Sequence, residues 1–135
     1  MTRILIAYPT ALAAFCVLDF VWLGFVARGF YQAQVGSLLL ATPRWGIAAL
    51  FYVLYIAGVV IFAVLPALEA GSWLRALLLG GLFGFFCYAT YDLTNLATLK
   101  DWTLPMAILD ILWGVVISAA SACASYAMVR TFDPA

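Results

Sequence analysis

The sequence predicts an all-α integral membrane protein: a four-helix bundle with a short interfacial helix in its first loop, forming a single transmembrane domain over residues 1–135. Three observations predict it. Apolar residues make up 68% of the chain and charged residues only 9%, against about a quarter charged in soluble domains. Four apolar runs each reach the roughly 20 residues that a helix rising 1.5 Å per residue needs to cross a bilayer. The punctuation between those runs is the punctuation of helix ends.

The first span is expected at about residues 4–27, with Pro9 near its start and Asp19 and Trp22 in its last third. Its opening, Met-Thr-Arg followed by apolar residues, resembles a signal peptide, and Ala11-Leu12-Ala13 has the form of a cleavage site. The apolar stretch before that site is short and broken by Pro9, and the pattern continues to Val26, so an uncleaved span is expected. The connection from Arg28 to Trp45 carries Phe30, Tyr31, Val35, Leu38 and Leu39 with Gln32 and Gln34 between them, a pattern that suits a short helix lying in the interface. Thr42-Pro43 then offers an N-cap and a first-turn proline before the second span, at about residues 46–65. Gly71-Ser72 breaks and caps ahead of the third span, residues 73–99. Thr103 caps the fourth, residues 104–129, with Pro105 still inside its first turn. Trp45, Trp73 and Trp102 fall where an aromatic belt would lie.

The last two connections are short, so neighbouring spans are expected to be antiparallel and packed side by side. Gly80 and Gly84, with Gly81 beside them, allow close helix approach, as do Ser118, Ala119, Ala122 and Ser125 on the fourth span. The glycines suit the bundle interior, while the serine-alanine face suits either the interior or a homodimer seam. Arg3, Arg75 and Arg130 fall on one side and Arg28, Arg44 and Lys100 on the other, so the positive-inside rule sets no orientation. The amino terminus tips the balance weakly toward both termini in the cytoplasm.

Composition also excludes function classes. Six basic and six acidic residues leave no basic surface for nucleic acid. The absence of histidine removes the commonest metal ligand and the usual general base. Cys16, Cys87 and Cys123 stand singly in apolar runs and read as small buried hydrophobes, so no metal site is expected from them.

Against this background the polar residues inside the spans stand out. An ionised Asp at mid-helix costs roughly 2.5–3.5 kcal/mol on insertion scales. Asp19 lies nine residues before Arg28, Asp92 eight before Lys100 and Asp110 seven after Thr103, which puts all three roughly 10–14 Å below the first-loop surface. Tyr52, eight residues past Arg44, reaches the same level. Tyr88, Asp92 and Asn95 share one helical stripe, flanked by Tyr91 and Thr98. Leu18-Asp19-Phe20-Val21-Trp22 and Leu109-Asp110-Ile111-Leu112-Trp113 repeat as Leu-Asp-x-x-Trp, so each indole is expected to line the same cavity as its own Asp. Asp92 is read as the central carboxylate, with Asp19 and Asp110 beside it. Asn95, Tyr88, Tyr91, Tyr52 and Thr98 supply hydrogen bonds, and Trp22 and Trp113 form walls. Three ionised carboxylates this close would repel, so at least one is expected to carry a proton at rest.

Leu-Asp-x-x-Trp-Leu-Gly in the first span, Tyr91-Asp92-Leu93-Thr94-Asn95-Leu96-Ala97-Thr98-Leu99 with Trp102 after it, and Asp110-Ile111-Leu112-Trp113-Gly114 in the fourth resemble one family. It is a family of small bacterial predicted inner-membrane proteins catalogued only as a domain of unknown function. The resemblance covers nearly the whole chain and implies a four-span protein of the bacterial inner membrane. It carries no activity and names no cofactor.

Three functions follow from the residues. The first is binding, or proton-linked transport, of a small cationic or polyhydroxylated solute by midplane carboxylates. A carrier of four spans would require a homodimer. The second is an intramembrane enzyme acting on a lipid or isoprenoid, with Asp and Tyr as acid and base. The third is an accessory subunit whose polar stripe meets a partner's span. A bundle whose polar residues only fix helix register is the plain alternative to all three.

Overall fold

The computed structural model describes residues 1–134, and its described residues are helical nearly throughout. The first span is α1 (Thr2–Val21) continued by a π turn (Trp22–Val26). A short helix, α2 (Arg28–Val35), and a 3-10 turn (Gly36–Leu38) form the first loop. The second span is α3 (Trp45–Val59), a π turn (Val60–Val64) and α4 (Leu65–Glu69), and the third and fourth are α5 (Trp73–Thr98) and α6 (Leu104–Phe132). Four helical stretches, Thr2–Val26, Trp45–Glu69, Trp73–Thr98 and Leu104–Phe132, are long and apolar enough to cross a membrane.

The second span runs to Glu69 rather than ending at residue 65, because the helix passes through Pro66. A proline inside a helix lacks an N–H and crowds the carbonyl four residues back. Here that carbonyl belongs to Phe62, inside the π turn, where the Leu65 N–H reaches the Val60 carbonyl. The wider turn absorbs the proline. The second π turn, closed by a 2.7 Å bond from the Ala27 N–H to the Trp22 carbonyl, ends the first span and swings the chain into α2. Ser72 and Thr103 cap α5 and α6 through bonds from the Arg75 and Met106 N–H groups, as the sequence predicts. The fourth span continues to Phe132, three residues past its expected end.

Spans pack in a ring, and the closest crossing is α5 on α6. A Cβ placed on Gly84 would come within 2.1 Å of the Gly114 carbonyl oxygen, and one on Gly80 within 2.8 Å of the Ala122 Cβ. The glycines therefore serve the bundle interior. Ser118, Ala122 and Ser125 are also buried there, and the Ser125 hydroxyl donates to the Ala7 carbonyl at 2.8 Å. That bond fixes the antiparallel register of α1 against α6.

Between the second and third spans the ring is uneven. The π turn and α4 pack on α5, whereas α3 finds its closest neighbour in α1. Toward the first loop, α3 and α5 diverge and only aromatic side chains bridge the gap. The first-loop helix closes the end of the bundle on that side. Ala27, Tyr31 and Val35 are buried with Met106, against Trp22, Phe30 and Trp102. Its apolar face thus lies on the protein, and a 2.5 Å bond from the Thr103 hydroxyl to the Gln34 amide oxygen ties it to the start of α6.

Candidate functional site

The register that sets Ala7 opposite Ser125 also sets Asp19 opposite Trp113 and Trp22 opposite Asp110. The two Leu-Asp-x-x-Trp repeats consequently exchange partners. The Trp113 indole N–H donates to Asp19 Oδ1 at 3.2 Å. The Trp22 indole N–H donates to the Tyr31 hydroxyl at 3.0 Å, which donates in turn to Asp110 Oδ1 at 2.7 Å. Each indole N–H therefore serves the carboxylate of the other span, Trp22 by way of Tyr31, while Trp113 also lines one cavity with its own Asp110. Residues three apart on one helix point the same way and reach across together, so the facing helix supplies the partner. The two indoles stack on one another, with ring centroids 4.4 Å apart and planes at 7°.

Tyr52 arrives from the second span at the depth the sequence assigns it and donates its hydroxyl to Asp19 Oδ2. Asp19 is thereby bonded on both oxygens by neutral donors and is buried. Asp110 is half-buried and receives one phenol. Tyr31 belongs to the first-loop helix outside the spans. Burial, and then the nearby Asp110 carboxylate, push its phenol well above the ordinary tyrosine value, so it stays protonated and donates.

Asp92 behaves differently. It is completely buried, and no N–H or O–H group donates to either carboxylate oxygen; its contact with Asp110 is carboxyl to carboxyl, which a proton on one of the two turns into a hydrogen bond. Asp110 and the Trp102 indole are its polar neighbours, and the Trp102 N–H is likewise buried without a partner. Trp102 is thus turned inward, not held in an aromatic belt, while Trp45 and Trp73 are exposed at their helix starts.

Asp19, Asp110, Tyr88 and Trp113 line a cavity of about 850 Å³ and are all buried or half-buried. Tyr55, Phe83 and Cys87 line its middle, and Leu23, Phe51, Phe86, Thr90 and Tyr91 its outer part. Tyr88 fits because Gly114 has no side chain, since a Cβ there would meet the Tyr88 ring at 2.2 Å. The Tyr55 hydroxyl is 2.6 Å from that of Ser118, at the cavity's inner wall.

Of the ten residues that the sequence singles out, Asp19, Tyr88, Tyr91, Asp110 and Trp113 line the cavity. Tyr52 stands behind it and donates to Asp19, and Trp22 reaches Asp110 only through the Tyr31 hydroxyl. Asp92 lies behind Asp110, outside the lining, and is not the central carboxylate. Asn95 is half-buried and makes no bond to Asp92. Thr98 is exposed and its hydroxyl returns to the Thr94 carbonyl at 2.8 Å, so it takes no part. The helical stripe through Asp92 was too wide a criterion, because α5 buries only its face toward α6. Sequence reasoning missed Tyr31, Tyr55 and Trp102. The signal for Tyr31 was a phenol on the apolar face of the first-loop helix, whereas Tyr55 and Trp102 carried none.

No basic side chain enters the bundle. Arg28, Arg44, Arg75, Lys100 and Arg130 are exposed, and the half-buried Arg3 pairs with Asp133 at 3.3 Å near the termini. Among the described residues, no three acidic or cysteine side chains gather closely enough to hold a metal ion.

No match to the chain was found among curated proteins or solved structures. A family described as "Predicted membrane protein (DUF2177)" matches residues 4–127, a stretch that covers most of each of the four spans, both Leu-Asp-x-x-Trp repeats and every residue of the cavity. The chain is a multi-pass membrane protein and belongs to this family.

Proposed function

We propose that this protein binds a small solute through a cationic group, held between Asp19 and Asp110 in the bacterial inner membrane, the compartment to which the family resemblance points. One observation carries the reading. A cavity of about 850 Å³ is lined by two carboxylates from different spans, in a bundle whose basic residues all lie outside it. A carboxylate in a low-dielectric site is neutralised by a proton or by a cation. Trp113 and Tyr88 in the lining add the aromatic faces that an ammonium group favours.

Asp92 supports an extension to proton-linked exchange. Asp92 and Asp110 are suited to share one proton at rest, held on the completely buried Asp92, which has no basic partner to keep it ionised. Transport also requires a second opening, and the bundle is tightly packed toward the second loop. A carrier would therefore need a homodimer to move against, and binding alone is the simpler reading.

Native mass spectrometry of the protein extracted gently from its membrane tests the proposal, with Asp110→Asn beside it. The expected result is a small basic molecule retained by the parent and lost from the variant, with affinity lowered about tenfold or more, the worth of one hydrogen bond to a charged group. An empty protein in both forms, together with no heat on titrating simple alkylamines into nanodisc-embedded protein, would refute it.

A further inference from the structure

The position of the cavity mouth says more about the ligand than its polar end does. On one side the mouth is bounded by Leu23 and Phe51, and on the other by Phe86, Thr90 and Tyr91. Phe51 is 46% and Phe86 63% exposed, so these rings stand on the outer surface of the bundle while lining the cavity. Thr90 lies eight residues before the end of α5 and Phe51 six after the start of α3, about 9–12 Å from the helix ends at 1.5 Å per residue. The hydrocarbon layer is about 30 Å thick, so a mouth at that depth faces acyl chains.

The end of the bundle that faces water on this side is shut. Tyr31 and Val35 of the first-loop helix are buried over it, and the bond between Thr103 and Gln34 holds the helix down. A solute in water meets this cap, whereas a molecule dissolved in the leaflet meets the open gap between α3 and α5. The gap is walled by Phe51, Phe83 and Phe86 and leads inward to Asp19 and Asp110. That is an apolar channel with a negative end.

Building on the binding proposed above, we infer that the ligand is a membrane-resident amphiphile, an amine head on an alkyl chain, which enters sideways from the leaflet on the first-loop side. The head occupies the inner end between the two carboxylates. The chain runs out past Phe83 between Phe51 and Phe86 and rejoins the lipid. Such a ligand never crosses the cap, and its tail keeps apolar contact along the whole path.

Photo-crosslinking in phosphatidylcholine nanodiscs tests this, using hexadecylamine with a diazirine at mid-chain and mapping the labelled peptides. Labelling is expected around Phe51, Phe83 and Phe86, suppressed by dodecylamine but not by butylamine or dodecanoate. Thr90→Trp, which fills the mouth at an exposed position, is expected to reduce labelling about tenfold, a factor equivalent to about 1.4 kcal/mol. If butylamine competes as well as dodecylamine, the tail is irrelevant and the amphiphile is overturned, while amine binding stands. If no amine competes and the label spreads over all lipid-facing surfaces, both readings fail. Unchanged labelling in a folded Thr90→Trp protein would overturn the sideways route. The competition series on the unaltered chain decides the ligand class even if that variant does not fold.

Discussion

The two ends of this bundle are built from different materials. Toward the second loop, Gly80, Gly84, Ala76, Ala122, Ser118 and Ser125 bring α5, α6 and α1 into near backbone contact, and the buried serines there mostly bond to their neighbours. Toward the first loop the spans separate, and large side chains (Tyr31, Tyr52, Tyr55, Tyr88, Trp22, Trp113) fill the space around three carboxylates. In a membrane, apolar surface gains little by turning inward, because lipid is equally apolar. Helix association depends on close packing and on hydrogen bonds. The closed end uses both, so it can hold the four spans together while the other end stays open enough to carry a cavity. Stability and binding are divided along the length of the same helices.

The largest effect should come from the closed end. Gly84→Ala places a methyl group 2.1 Å from the Gly114 carbonyl oxygen, and backbone cannot rotate aside as a side chain can. The α5–α6 crossing must separate, at a cost of about 3 kcal/mol. Unfolding in a graded detergent mixture measures it. A variant as stable as the parent would mean that the crossing is looser than the geometry shows, and the division between the two ends would lose its basis.

Much of this closed end was legible in the sequence, because the rules that write it are local. Small residues spaced at helical intervals can do little in a span except bring helices together. The helix caps at Ser72 and Thr103 could likewise be read from short range. The open end was legible only as a level: Asp19, Asp110 and Tyr52 were placed at one depth by counting residues, and they do meet around one site. Which carboxylate faces the cavity depends on how α5 is rotated against α6, which Gly84 and Gly114 set together across two helices. Asp92 lies outside the cavity lining for that reason. The exchange of indoles between the repeats depended on interhelical register, and the sequence of either span alone does not contain it.

A matched pair of deletions sharpens the comparison at intermediate size. Ser125→Ala removes a buried hydroxyl that donates to the Ala7 carbonyl, and stability should fall by about 1 kcal/mol. Asp92→Ala removes a buried carboxyl to which no N–H or O–H group donates and whose contact is with the like group of Asp110, and stability should hold or rise by about 1 kcal/mol. The opposite signs are the test, read from the same unfolding assay. If both variants lose stability equally, Asp92 is part of the framework, tied to Asp110 by their shared proton and not free to release it.

The smallest effect concerns the cap. Tyr31→Phe removes the phenol that links the Trp22 indole to Asp110 but keeps the ring buried among Trp22, Trp102 and Met106. The loss should be about 1 kcal/mol near neutral pH. Its pH dependence then isolates the hydroxyl. The Tyr31 phenol is held above its ordinary value in the folded protein, chiefly by burial and next by Asp110. The stability it contributes is fully present below about pH 10, where an unfolded tyrosine keeps its proton. Above that pH the unfolded chain releases the proton first, and the contribution declines. The gap between the parent and Tyr31→Phe should therefore narrow as pH rises past 10, because the other tyrosines are common to both proteins and cancel. A gap that stays constant would show that Tyr31 acts through its ring alone, and the first-loop helix would then close the bundle by packing, without a hydrogen-bonded hold on Asp110.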